Sequence, residues 1–409
     1  MLYLESFTHR VTLAEIISRW MVNQAQPGDV RQIKKIVNFN SYMSRVWVDA
    51  LVRQLLRQLH GSEAPQIIAR TKGELKDFVV DHPTYSNARI AEMCDRYRRF
   101  PEDFYRETPL DGSYYVLNHD GPPRFVACSR IKHFRRIAEK GSRRIVDFML
   151  SRIRINADAL AEERARSMGI AKNQLVSSPE QMADEFRHAE RRVIKSIKRG
   201  TIQAGLPVLA IPDVVGAKLI VEDADYPRLL AALKATGVCE VLEEERHTGN
   251  YKAVNLRIAY TVPRDLLAAF PPSGPYRRVL EFRGFDPATL RNEYLEFVEQ
   301  GDDRVLVEII VANFQEYLES ELGRCMHEER VLSQRAHPDY QGHLSTNVRH
   351  LMDYILGLCL GPDIPEITDV PLKLWVKYMP DTIEHLMRAC YLPDDLFFDA
   401  VLEVPVAEA

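Results

Sequence analysis

The stretch Val305-Leu306-Val307-Glu308-Ile309-Ile310-Val311 sets one carboxylate among six aliphatic residues, and the chain then runs on to Glu321-Leu322-Gly323 and His327. A short aliphatic run rich in β-branched residues reads as a buried strand. Burying a lone ionised Glu without a partner costs several kcal/mol. Glu308 is therefore expected at a wet cleft, near a metal or a base, and not inside a core. Two earlier segments share this style. Ile211-Pro212-Asp213-Val214-Val215-Gly216-Ala217-Lys218-Leu219-Ile220-Val221 is a strand interrupted by an acid, a glycine and a lysine. Tyr251-Lys252-Ala253-Val254-Asn255-Leu256-Arg257-Ile258 mixes an aromatic, aliphatics and polar groups along one strand.

Around these segments the chain changes period. Residues 1–110 read as helices: Tyr42, Val46, Leu51, Leu55 and Leu59 recur at spacings of four or five and predict one amphipathic stripe. Tyr114-Tyr115-Val116-Leu117 and Arg124-Phe125-Val126-Ala127 flank Asn118-His119-Asp120-Gly121-Pro122-Pro123 and predict a β-hairpin. Helical pattern resumes from Ile131 to about Met168, and Ser177-Ser178-Pro179-Glu180 reads as a helix start. After residue 205 the period becomes strand-like, with a helix over Tyr226–Thr236 and strands near 238–244, 251–262, 277–283 and 304–311. Residues 263–302 read as an inserted hairpin and helix. Beyond His337-Pro338-Asp339-Tyr340 the chain returns to helices through Phe398. The expected fold class is α+β: a mixed sheet in a central unit, 178–335, between helical regions 1–177 and 336–409.

With 409 residues, 46% of them hydrophobic, the chain has ample material for two or three globular domains. A net charge of −4 argues against a generic nucleic-acid coat, although a balanced total can hide local patches. Six scattered cysteines without a C-x-x-C pair speak against a zinc ribbon or a disulfide framework and fit reduced thiols. Met1 to Trp20 carries Glu5, His9, Arg10, Glu15 and Arg19, and no apolar run approaches the roughly 20 residues of a membrane helix. A cytoplasmic protein with no membrane partner is the expectation.

If the strands of Asp213 and Glu308 pair, the two carboxylates offer oxygen ligands for Mg²⁺ carrying a nucleoside triphosphate. Spacing alone equally allows an Asp at a strand mouth and a Glu on a solvated face. Tyr251 presents a flat face on which a purine can stack, and Lys252 beside it can meet a phosphate as a point charge. Arg191-Arg192-Val193-Ile194-Lys195-Ser196-Ile197-Lys198-Arg199 carries five cations in nine residues, a density suited to polyphosphate and also to a solvated helix face. Arg130–Arg154 is rich in Arg and Lys and poor in acids; it reads as a solvated helix, with a nucleic-acid face as the alternative. No Gly-x-x-x-x-Gly-Lys-Ser/Thr loop occurs, which removes a P-loop reading.

Taken in order, the three strand segments resemble the synthetase domain of the RelA/SpoT family, which has a nucleotidyltransferase-like fold. Asp213-Val214-Val215-Gly216-Ala217-Lys218 matches the family's Asp-x-x-Gly-x-Arg, with Lys218 in place of the Arg. Tyr251-Lys252-Ala253-Val254-Asn255 aligns with the family's Gly-Tyr-Arg-Ser-x-His through Tyr251, with Lys252 at the Arg and Asn255 in place of the His. Val307-Glu308-Ile309 matches Val-Glu-Ile, followed at the family spacing by Ser320-Glu321-Leu322-Gly323 and His327. The resemblance covers about residues 178–335. It implies an alarmone (p)ppGpp synthetase, an ATP-dependent pyrophosphokinase that moves the β,γ-pyrophosphate of ATP to the ribose 3′-hydroxyl of GDP or GTP. It further implies Mg²⁺ on Asp213 and Glu308, and Glu308 as the group that takes the hydroxyl proton. The acceptor guanine would stack on Tyr251, with Lys252, Lys218, Asn255, Lys195, Lys198 and Arg199 around the nucleotides. Ile310 and Ala312 stand where the family has Gln and Arg. Those departures keep open a catalytically degenerate nucleotide- or partner-binding protein. A tRNA 3′ end as acceptor also stays open, with the flanking helices docking an RNA or protein partner.

Overall fold

The period-two segments pair with one another in a computed structural model that describes residues 2–118, 122–202, 209–324, 326–336, 340–362 and 366–389. The N-terminal part comprises β1 (Leu2–Leu4), α1 (Arg10–Met21), α2 (Asp29–His60), β2 (Gln66–Thr71), α3 (Lys72–Asp81), α4 (Ala88–Arg99), β3 (Pro109–Leu117), β4 (Arg124–Ile131) and α5 (Phe134–Ser167). Next come α6 (Pro179–Lys198), β5 (Leu209–Ile211), β6 (Val215–Ile220), α7 (Tyr226–Ala235), β7 (Cys239–Thr248) and β8 (Lys252–Thr261). The remainder is α8 (Arg264–Ala269), α9 (Gly274–Phe282), α10 (Leu290–Glu299), β9 (Arg304–Ala312), α11 (Phe314–Glu321), α12 (His327–Ala336), α13 (His343–Gly357) and α14 (Pro380–Arg388). The class is α+β. One seven-stranded sheet runs β2-β3-β4-β6-β9-β8-β7, parallel only between β6 and β9, while β1 and β5 form a separate parallel pair.

Side chains on β9 alternate strictly: Val305, Val307, Ile309 and Val311 are buried, while Leu306, Glu308, Ile310 and Ala312 are half-buried. The buried set joins Leu219, Leu256 and Ile258 in the main core, together with Leu51, Val52 and Leu55 of α2. Trp47 of α2 lies against Tyr260 of β8, ring centroids 5.4 Å apart. Among the described residues the opposite sheet face is covered towards β3 and β4. There Tyr114, Val116, Phe125 and Cys128 share a second core with Phe314, Tyr317 and Leu318 of α11. Beyond it, Lys218 of β6, Asn255 of β8 and Glu308, Ile310 and Ala312 of β9 line a cavity.

Three expectations need correction. The sheet is not confined to residues 178–335, because β2, β3 and β4 supply three of its seven strands. The expected hairpin does form, and its second strand docks antiparallel on β6 with Ala127 opposite Leu219. Residues 1–110 are accordingly not all helical. Residues 263–302 contain three helices and no strand among the described residues, including a helix, α9, where a strand was expected near 277–283. Pro275 sits in the first turn of α9, and the Tyr276 ring that follows faces α2 and not a sheet. Tyr276 packs on Tyr42 at 4.8 Å, and Tyr294 and Phe297 of α10 meet Phe39 edge-on at 5.5 and 5.2 Å. The start of α6 is as read: Ser178 caps it in a reciprocal box with Gln181, and Pro179 opens the first turn. The expected helices through Phe398 run past residue 389 and so partly outside the described residues, as do His119, Asp120 and His337. Among the described residues no helix is long and apolar enough to cross a membrane, and the four described cysteines are free.

Candidate active site

Gly216 decides how closely the two parallel strands approach. It lies opposite Glu308, and a Cβ there would stand 2.9 Å from the Glu308 carbonyl oxygen. Antiparallel pairing on the other side of β9 sets Arg257 opposite Glu308 and Asn255 opposite Ile310. Asn255 reaches diagonally and donates its Nδ2–H to Glu308 Oε1 at 3.0 Å. Its Oδ1 is buried with no hydrogen-bond partner among the described residues. Glu308 thus avoids the cost of a lone buried carboxylate: it is half-exposed, amide-held and faces a cavity of about 640 Å³.

Asp213 occupies the break between β5 and β6. Ser6 holds that break from both ends, donating to the Pro212 carbonyl at 3.3 Å and accepting from the Val215 amide at 3.2 Å. Lys132, just past β4, donates its backbone N–H to Val214 at 2.8 Å. Its ammonium reaches both the Asp213 carbonyl and, at 2.9 Å, the Asp213 carboxylate, which Lys140 of α5 also contacts. Burial by itself would raise the Asp213 carboxyl; the two ammonium groups outweigh it and hold the group well below the usual carboxylate range. Lys132 is pushed down to about 8, first by burial and then by Arg130 and Lys140, against the pull of Asp213 and Glu308.

Asp213, Glu308, Asn255, Tyr251 and Lys218 all line this one cavity. Tyr251, in the turn before β8, lies nearly parallel to His247 of β7, with ring centroids 6.2 Å apart and planes 26° apart. Lys218 is engaged from below: Glu321 accepts from it at 2.5 Å, and the Tyr317 ring lies 5.2 Å away. Burial would raise Glu321, but Lys218, Lys72 and Lys76 together hold it well below the carboxylate range. His327 also lines the cavity, its imidazole kept neutral far below the usual histidine value by burial and by Arg130.

Other expected residues fall elsewhere. Lys195 and Lys198 are exposed on α6 with Arg199 at its C-cap, and none of the three lines the cavity. Lys252 is exposed and also outside the lining; its backbone N–H donates to Glu316 at 2.7 Å. Arg130, Lys132, Arg136, Lys140, Arg143 and Arg144 are all in the wall, though the sequence singled out the run Arg130–Arg154 as a solvated helix or nucleic-acid face and not as part of the nucleotide site. A signal for the helical ones existed: Arg136, Lys140, Arg143 and Arg144 share one stripe of α5, whereas Ile137, Ile145 and Met149 on the other side are buried.

Among the described residues no three His, Cys, Asp or Glu side chains cluster as a dedicated metal cage. Mg²⁺ that travels with a polyphosphate needs only one or two carboxylates, with phosphate and water oxygens completing its shell. Asp213 and Glu308 meet that demand in kind, and Lys132 and Lys140 compete for the same Asp213 oxygen. No protein-family model, curated protein or solved structure matches this chain.

Proposed function

We propose that this cavity is the active site of an alarmone-synthetase-like pyrophosphotransferase, with ATP as donor and the ribose 3′-hydroxyl of a guanine nucleotide as acceptor. The observation that carries the reading is the convergence of Asp213, Tyr251, Asn255 and Glu308, from separate strands and loops, on one cavity. A volume of about 640 Å³ falls within the range of nucleotide-sized sites. Eight Lys and Arg against five acids in its lining suit a polyanionic ligand.

In this reading the guanine lies on the Tyr251 ring, and the buried Asn255 Oδ1 accepts a hydrogen bond from the acceptor nucleotide. Asn255 Nδ2 keeps Glu308 oriented to take the proton of the 3′-hydroxyl. The hydroxyl oxygen forms a bond to the β-phosphorus of ATP as the bond from that phosphorus to the α-phosphate's bridging oxygen breaks. AMP leaves, and the proton rests on Glu308. Mg²⁺ held by Asp213 and Glu308 would neutralise phosphate charge. Most of the acceleration then comes from alignment and fixed positive charge.

A second reading keeps the binding and drops the chemistry. Ile310 and Ala312 line the open face at the positions where the resembled family has polar groups, and Asp213 is tied to two lysines. Incubating the full chain with labelled ATP, Mg²⁺ and GDP, GTP or tRNA separates the readings. A 3′-pyrophosphorylated acceptor together with AMP supports transfer. Binding of ATP and guanine nucleotide without product from any acceptor leaves the non-catalytic reading standing.

A further inference from the structure

The basic stripe of α5 has no part in the chemistry above, yet it forms a wall of the same cavity. Two of its four cations are already neutralised: Lys140 by Asp213, and Arg136 by Glu139 at 2.7 Å. Glu139 is shared in turn with Arg335 of α12 at 2.8 Å. Arg143 and Arg144 differ. Both are exposed, both line the cavity, and neither has a carboxylate partner among the described residues. Their position is well anchored, because the reverse side of α5 packs tightly. A Cβ on Gly141 would stand 2.8 Å from Leu2 and 3.1 Å from Met352, so a small residue there lets the helix settle against β1 and α13. Two guanidinium groups on a rigid concave wall present planar forks that match phosphate oxygens.

We propose that the α5 stripe carrying Arg143 and Arg144 is the polyphosphate-binding wall of this cavity, receiving the triphosphate of a nucleoside triphosphate, and that the α6 cations Lys195, Lys198 and Arg199 take no part. This rests on the nucleotide-site reading, but it concerns binding and not turnover. Inorganic tripolyphosphate, which has neither base nor ribose, isolates that contribution.

Calorimetric titration of tripolyphosphate into the full chain, without divalent metal, is the test. R143Q/R144Q should weaken binding at least about tenfold, since charge-assisted hydrogen bonds to phosphate are lost. K195Q/K198Q/R199Q should stay within about twofold of the wild type, and both sets are exposed enough for melting temperatures to match. Should R143Q/R144Q unfold, R143K/R144K keeps the charge, removes the fork, and should still weaken binding. The proposal is overturned if the wild type does not bind tripolyphosphate, if the arginine variants bind like the wild type, or if the α6 variant loses binding. Loss of binding in R143Q/R144Q with no turnover in the wild type would refute pyrophosphotransfer and leave the wall. Full turnover with an unchanged KM for ATP in that variant would refute the wall and leave the function.

Discussion

At the scale of single residues, Glu308 and Lys132 carry the sharpest expectations. Glu308→Gln keeps shape and the contact region of Asn255 but cannot accept the hydroxyl proton. Turnover should fall by about 10²–10⁴-fold while ATP binding is largely retained, read as kcat against an ATP dissociation constant. Tyr251→Ala should weaken the guanine nucleotide by about 1–3 kcal/mol with little effect on ATP, because base stacking on an aromatic is worth that much. Lys132 supplies a pH signature. It is faced by Arg130, Lys140, Asp213 and Glu308 and is lowered to about 8. A bound polyanion favours its protonated form, so binding above about pH 8 should take up a proton. Affinity should then fall as the pH rises through about 8, and below about pH 7 this dependence should vanish because Lys132 is already charged. Calorimetry of tripolyphosphate binding in buffers of different ionisation enthalpy reads the proton directly, and Lys132→Met should abolish its uptake.

Among the elements, the β6–β9 pair fixes the site. Its parallel register makes Gly216 and Glu308 neighbours, and the missing side chain at Gly216 lets the strands close. Gly216→Ala should destabilise the protein by about 1–3 kcal/mol through overpacking against backbone, which cannot swing aside. Urea unfolding measures it, and a wild-type midpoint would show that the strands can part without cost. Period-two patterning made β9 legible, since its alternation reports which face is buried; β7 is exposed at nearly every position and carries no such alternation. The same logic failed for α9. Its short apolar and charged residues fit either period, and only the Tyr276–Tyr42 packing against α2 chose the helix.

At the scale of the whole molecule, a buried ionic cluster sits beside the second core and ties α3, β6, α11 and α12 together. Glu321 of α11 meets Lys218 of β6 at 2.5 Å and Lys72 of α3 at 3.8 Å, and Glu328 of α12 contacts Lys72 and Lys76. Glu321→Gln leaves buried lysines short of counter-charge and should cost about 3–5 kcal/mol near neutral pH. The sign with pH follows from the depressed carboxyl. Its stabilisation is present above the ordinary Glu value of about 4.3 and is lost as the pH falls below it. Acid unfolding of Glu321→Gln should therefore be less steep than that of the wild type, as circular dichroism followed against pH would show.

By itself the sequence determined the α+β class, the strand of Glu308, the strands that flank Asp213 and follow Tyr251, the hairpin at β3–β4 and the capped start of α6, although Asp213 sits in a break between two strands and Tyr251 in a turn. Each is written in local periodicity or in turn and cap chemistry, which need no knowledge of distant partners. Tertiary structure alone decided that the hairpin joins the central sheet, because the pairing of β4 with β6 sets residues far apart in the chain, such as Ala127 and Leu219, opposite one another. It also decided which basic segment meets the cavity. Arg130–Arg154 and Arg191–Arg199 are both dense in cations, and a solvated cation and a cavity-facing one share the same helical period. The docking of α5 on β1 and α13 turns Arg143 and Arg144 towards the site, and α6 presents Lys195 and Lys198 to solvent.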